Sequence, residues 1–130
     1  MSADPQFETR IAEDLGGPAL RSFFRLAERW NLRIVEQRKL LGDLPESTFY
    51  KWKRQQDGAP GRDTIERISY LLGIWKSLQI LFPDPAQADA WLHKTNLASP
   101  FGGHSALERM LSGNVADLYV VRQYLDAQRG

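Results

Sequence analysis

The stretch Ile34–Lys53, IVEQRKLLGDLPESTFYKWK, decides how the fold is read. Apolar Ile34, Val35, Leu40 and Leu41 describe a short helix that ends at Gly42, a residue suited to the left-handed position after a helix terminus. Pro45 then suits the first turn of a second helix, where its missing N–H is not needed. Helix, short glycine-containing turn, helix is the helix-turn-helix order. The second helix is the informative one. On a wheel of roughly 100° per residue, Phe49 and Trp52 fall on one side, while Ser47, Lys51 and Arg54 cluster opposite, flanked by Thr48, Tyr50 and Gln55. Lys53 lies near Phe49 at the edge of the buried side, where its stem packs and its charge reaches water. The expected DNA-binding residues are therefore Ser47, Thr48, Tyr50, Lys51, Arg54 and Gln55.

Charge distribution agrees with that reading. The whole chain of 130 residues carries a formal charge of only +1. Residues 1–20 hold one Arg against four acids, −3; residues 21–67 hold eleven cations against seven acids, +4; residues 68–130 balance five against five. A modestly basic middle fits a module that makes a few phosphate contacts, multiplied by dimerisation, and not a strongly basic nonspecific binder. A chain of this length buries about two-thirds of its unfolded surface, enough for one core or two abutting helical units.

Other classes find little support. With no cysteine, disulfides, thiolate catalysis and cysteine zinc sites are absent. His93 and His104 have no partner at metal-ligand spacing, and no serine elbow, phosphate-cradling glycine loop or carboxylate pair is visible. No catalytic residue, metal or cofactor is expected. No apolar run approaches a membrane span and the N-terminus is acidic, so a soluble cytoplasmic protein is expected.

Along the chain every segment reads as helix. After an acidic arm over residues 1–17, Pro18 opens a helix with the stripe Leu20, Phe23, Phe24, Ala27 and Trp30. Beyond the break DGAPGR, Asp63 and Glu66 resemble a capping box for a long helix ending at Phe82, with Ile65, Ile68, Leu72, Trp75, Leu78 and Phe82 on its apolar face and Gly73 interrupting it. Tyr70, Ile74 and Leu81 lie off that face and are available to a two-fold interface. Pro83 stops the helix, Asp84 caps and Pro85 begins the next, which Trp91 and Leu92 anchor. NLASPFGGHS is irregular, with Phe101 exposed unless something covers it; Ser105 and Glu108 then form a capping box, and Gly113 ends that helix. The last helix carries a core stripe of Leu118, Val121 and Leu125 and an adjoining one of Ala116, Val120, Tyr124 and Ala127, a wide arc with room for a partner.

The blocks LLGDLPESTFYKWK, RISYLLGIWKSLQILFP, AWLHKTN and PFGGHSALERMLSGNVADLYVVRQYLD, in that order, resemble the Xre/MbcA/ParS type of antitoxin from toxin-antitoxin modules. The last block is the most specific, through the Pro100–Gly103 turn, Leu107, Ser112-Gly113 and the Val121-Arg122-Tyr124-Leu125 stretch. The resemblance spans roughly residues 20–129. It implies an all-α chain: an Xre-like helix-turn-helix bundle for DNA binding and dimerisation over residues 18–82, then a small helical toxin-binding domain over residues 83–130. It implies homodimerisation, operator DNA and, as protein partner, a RES-domain toxin that consumes NAD by phosphorolysis or ADP-ribosylation. The expected toxin-binding residues are Trp91, Asn96, Phe101, Gly102, Tyr119, Arg122, Tyr124, Leu125 and Arg129, with large aromatics as anchors and the two arginines as partners for acidic groups. The function this implies is an antitoxin that blocks the toxin sterically and represses its own operon. The alternative is a dimeric helix-turn-helix transcriptional regulator without a toxin partner.

Overall fold

The computed structural model describes the backbone of residues 5–130 and the side chains from Leu15 onward. Helices run in the order α1 Pro5–Arg29, α2 Ile34–Leu40, α3 Glu46–Gln55, α4 Arg62–Leu81, α5 Pro85–Trp91, α6 Ala106–Met110 and α7 Val115–Gln128. The described residues form no strand, only an isolated antiparallel bridge between Thr95 and Ser105. The chain is all-α, with the helix-turn-helix unit first and the smaller helical unit after it.

Helix α1 corrects the sequence reading. Residues 1–4 of the expected arm lie outside the described residues, but from Pro5 onward the chain is already helical and runs through Gly16, Gly17 and Pro18 without a break. The reason is tertiary. Gly16 and Gly17 are buried where the loop 57–60 lies on the helix, and a Cβ on Gly16 would stand 2.5 Å from the Gly58 carbonyl oxygen and 2.7 Å from Pro60 Cδ. Close approach of the loop outweighs poor helix propensity. Arg21 Nη1 donates to the Gln56 carbonyl at 3.1 Å across the same junction.

The helix-turn-helix is as the spacing predicts. Gly42 has φ +103° and Asp43 φ +57°, so the turn uses two successive left-handed residues. Leu40, Leu41 and Phe49 are fully buried. Thr64 Oγ1 donates to the Leu41 carbonyl at 2.8 Å and Arg38 Nε to the Leu44 carbonyl at 3.0 Å, which satisfies backbone acceptors left open at the end of α2 and in the turn. The inner face of α2 differs from expectation. Val35 is 47% exposed whereas Glu36 and Gln37 are buried, because Gln37 Nε2 donates inward to the Leu32 carbonyl at 2.9 Å and Glu36 folds back onto the Arg33 backbone N–H at 2.8 Å.

Helix α4 is the axis of the molecule. It packs against α1 on one side and α7 on another. Its fully buried apolar residues are Ile68, Leu71, Ile74 and Leu78, while Leu72, Trp75 and Phe82 are only partly covered. Ile74 is thus spent on the chain's own core and is not available to a two-fold interface; Tyr70 meets the Tyr119 ring edge-on at 6.0 Å. Nor do Asp63 and Glu66 cap α4: the N-cap is Gly61, and Asp63 Oδ2 instead accepts from Arg67 Nε at 2.8 Å. Gly73 marks a close crossing, for a Cβ there would lie 2.6 Å from the guanidinium carbon of Arg122 on α7. Asp84 does cap α5, accepting from the Ala86 N–H at 3.0 Å, and Ser105 with Glu108 caps α6 as the spacing predicts.

Gly16→Ala separates propensity from packing. Propensity alone would stabilise α1 by about 1 kcal/mol. Overlap with the Gly58 backbone should instead make the variant less stable by about 1–3 kcal/mol, read by chemical denaturation.

Candidate functional site

The expected site residues fall into two groups, which lie in different halves. On α3, Phe49 is buried and Trp52 partly buried, while Ser47, Tyr50, Lys51, Arg54 and Gln55 are exposed and Thr48 sits half-buried at the edge. Phe49 is held by edge-on contacts with Phe24 at 5.9 Å and Tyr50 at 5.6 Å. Lys53 Nζ lies 5.9 Å from the Phe49 ring centre, so this cation is partly engaged on the helix's own inner side, as the wheel places it. Trp52 is pressed on Gly58, where a Cβ would stand 2.5 Å from the indole. The aromatic side therefore seats α3, leaving a polar side with Lys51 and Arg54 turned to solvent.

In the C-terminal half, Trp91, Phe101 and Tyr124 converge. Trp91 stacks on Tyr124 with 6.4 Å between ring centres, and Phe101 meets both edge-on, at 5.7 Å and 5.1 Å. Phe101 is only 3% exposed, so the covering the sequence left open is supplied by Trp91 and Tyr124. Leu125 is buried in the core as well. Asn96 shapes the loop after α5: its Oδ1 accepts from the Ala98 N–H at 2.9 Å and its carbonyl from the Gly103 N–H at 2.8 Å. Gly102, φ +56°, is exposed beside them.

The remaining expected residues stand on the other flank of α7. Tyr119 is 48% exposed. Arg122 lies 5.9 Å from the Tyr70 ring centre and 3.7 Å from Asp126, and Arg129 Nη1 donates to Ser77 Oγ at 3.3 Å. Ser77 is fully buried and its hydroxyl donates to Asp126 Oδ1 at 2.8 Å. Both arginines therefore fasten α7 to α4 within the chain.

Two cations that sequence reasoning passed over hold this half together. Arg67, itself buried, donates from Nη2 to the Gly113 carbonyl at 3.0 Å and so ties α4 to the turn before α7. Arg109 donates to Asp117 Oδ1 at 2.7 Å and to the Pro100 carbonyl, locking the aromatic loop to the start of α7. No spacing rule marks either contact, since each joins segments that meet only after folding. Leu97, 93% exposed, was likewise passed over. Among the described residues no group of three or more His, Asp or Glu side chains is placed to hold a metal ion. No helix there is long and apolar enough to cross a membrane.

Asp117 and Glu108 are held below the usual carboxylate range. For Asp117 the Ser112 hydroxyl is the main cause, followed by Arg109; for Glu108 it is the hydrogen bond from His104, at 2.9 Å, then the Ser105 backbone. A lowered folded pKa means that stability from Asp117 is present above its unfolded value of about 3.9 and is lost as pH falls through the folded one. Asp117→Asn should therefore cost about 1–2 kcal/mol at neutral pH. That deficit should shrink as both chains are taken to strongly acid pH, which paired denaturation curves measure.

Comparison with known proteins matches this geometry half by half. Residues 9–73 match the antitoxin Xre-like helix-turn-helix domain, and residues 77–130 match the antitoxin Xre/MbcA/ParS C-terminal toxin-binding domain. The chain is 52% identical over 111 residues, 85% of its length and 84% of the relative's, to a Sinorhizobium fredii (strain NBRC 101917 / NGR234) protein that carries the name uncharacterized protein y4oB. No solved structure matches the chain. With an outward polar helix in the first matched segment and a tied aromatic loop in the second, the chain belongs to the Xre/MbcA/ParS antitoxin family.

Proposed function

We infer that this chain is the antitoxin of a type II toxin-antitoxin module whose toxin is a NAD-consuming RES-domain enzyme. The C-terminal domain covers the mouth of the toxin's cleft, and the helix-turn-helix, as a homodimer, represses the module's own operon. The observation that supports this most is the union in one chain of a toxin-binding domain and a helix-turn-helix whose second helix turns Lys51 and Arg54 to solvent. Ser47, Tyr50, Lys51, Arg54 and Gln55 meet the operator, with Thr48 at the margin of that face. Two such helices related by a two-fold axis read half-sites about one helical turn apart.

Toxin contact falls to the exposed side of the C-terminal domain. Tyr119 and the outer edges of Trp91 and Tyr124 are its aromatic anchors, and the Asn96–Gly103 turn with Gly102 shapes the contact. Phe101 and Leu125 support that surface from beneath. Arg122 and Arg129 hold α7 in place and present what remains of their charge at its rim. The block is steric, since NAD chemistry belongs to the partner.

Substitution is a cleaner test than truncation. Cutting the chain at Tyr119 would remove Val121 and Leu125 and strip the cover from α4, so the helix-turn-helix half would lose core as well. In the double variant Lys51→Ala, Arg54→Ala, operator affinity should fall, by ~1–3 kcal/mol for each base-reading contact removed. Growth rescue from a co-expressed RES-domain toxin should survive in the same variant. Unchanged operator affinity would remove α3 from the role given to it. Undiminished NAD turnover by the purified wild-type complex would overturn the steric block.

A further inference from the structure

Leu97 is 93% exposed, against 53% for Ile80, the next among the large hydrophobic residues described. A leucine left this bare is ordinary on a loose loop. This loop is not loose. The bridge between Thr95 and Ser105 closes its neck, and the Asn96 N–H donates to the His104 carbonyl at 3.0 Å. Directly after Leu97, the Ala98 N–H is bound by Asn96 Oδ1 at 2.9 Å, and the Ala98 carbonyl accepts from the N–H groups of Phe101 at 2.9 Å and Gly102 at 3.1 Å. Phe101 is plugged under Trp91 and Tyr124, and Arg109 holds the Pro100 carbonyl. The chain therefore orders its backbone on both sides of Leu97 and yet keeps the side chain in water.

We propose that Leu97 is the apolar anchor of the C-terminal domain, inserting into an apolar pocket on the toxin; this rests on the reading above that a toxin is the partner. Three observations point to that occupant. The loop lies within the segment that matches a toxin-binding domain. Its frame is already ordered, so seating Leu97 costs little further conformational freedom, which is what preorganisation contributes to affinity. Exposed Lys94, Thr95 and Ser99 flank it in sequence, so one apolar point stands in polar surroundings, the usual arrangement of an interface core and its rim. By contrast, Phe101 and Leu125 are consumed by the core, and Arg122 and Arg129 by the attachment of α7.

The test uses full-length chains and a purified RES-domain protein, the toxin class inferred above. Because Leu97 is almost wholly in water, Leu97→Asp should melt like the parent while binding the toxin about 30-fold more weakly or worse by titration calorimetry, the loss expected of a hot spot. Leu97→Met should stay within about 3-fold of the parent, since it keeps the apolar volume. Val35→Asp, an exposed apolar site on the other half, should leave toxin affinity unchanged. Retention of parental affinity by Leu97→Asp, with the parent binding normally, overturns the anchor and leaves the toxin reading standing. Failure of the parent to bind overturns both. A change in the light-scattering mass of Leu97→Asp alone, without loss of toxin affinity, would assign Leu97 to contact between copies of this chain and likewise overturn the proposal.

Discussion

Helix α4 must satisfy two neighbours at once, and most of the structure follows from that. Ile68, Leu71, Ile74 and Leu78 are wholly buried because α1 closes over one side and α7 over another. Burial of this kind leaves no water for a polar group that falls on the covered face, so Ser77 is fully buried and hydrogen-bonded to Asp126 of α7. The crossing is tight enough that position 73 is a glycine with Arg122 lying over it. The two matched segments adjoin inside α4, at residues 73 and 77. The DNA-binding and toxin-binding units therefore share one helix and one continuous core.

Further ties join the halves away from α4's apolar faces. Arg67 reaches from the helix-turn-helix side to the carbonyl of Gly113, and it stands against Gly42, where a Cβ would come within 3.3 Å of its Nε. At the far end of α1, Arg29 pairs with Asp89 of α5 at 3.3 Å and lies 5.5 Å from the Trp75 ring centre, while His93 Nε2 meets the Trp30 carbonyl at 2.8 Å. Surface pairs of this sort contribute little stability individually. Their importance is geometric, since they fix how the α5 segment docks beside α1. A partner bound at the aromatic loop and an operator bound at α3 would thus engage one packed body.

Within the C-terminal half, the same logic sorts candidate contact residues by what the chain already uses them for. A guanidinium that bonds the chain's own carbonyl, as Arg109 does, is occupied; a leucine almost wholly exposed on an ordered loop is not. The aromatic trio of Trp91, Phe101 and Tyr124 combines the two conditions, with Phe101 committed inward and its two covers half-exposed.

The sequence by itself determined a good deal. Periodicity gave the polar and apolar sides of α3, because a short amphipathic helix has one buried face and local spacing reveals it. Gly42, Gly113, Asp84 and the Ser105–Glu108 pair marked helix ends, because capping is local chemistry between near neighbours. Family resemblance named the two units in order. Tertiary structure alone decided the rest. The pair Gly16-Gly17 reads as a break in isolation, yet the loop 57–60 packs there and the helix continues. Glu36 and Gln37 are buried where Val35 is half-exposed, because the fold closes over side chains that bond the Arg33 N–H and the Leu32 carbonyl, a use of polar residues that apolar spacing does not register. Whether Phe101, Arg122 or Leu97 is available to a partner depends on which groups the folded chain has already brought against each one, and no one-dimensional pattern contains that contact list.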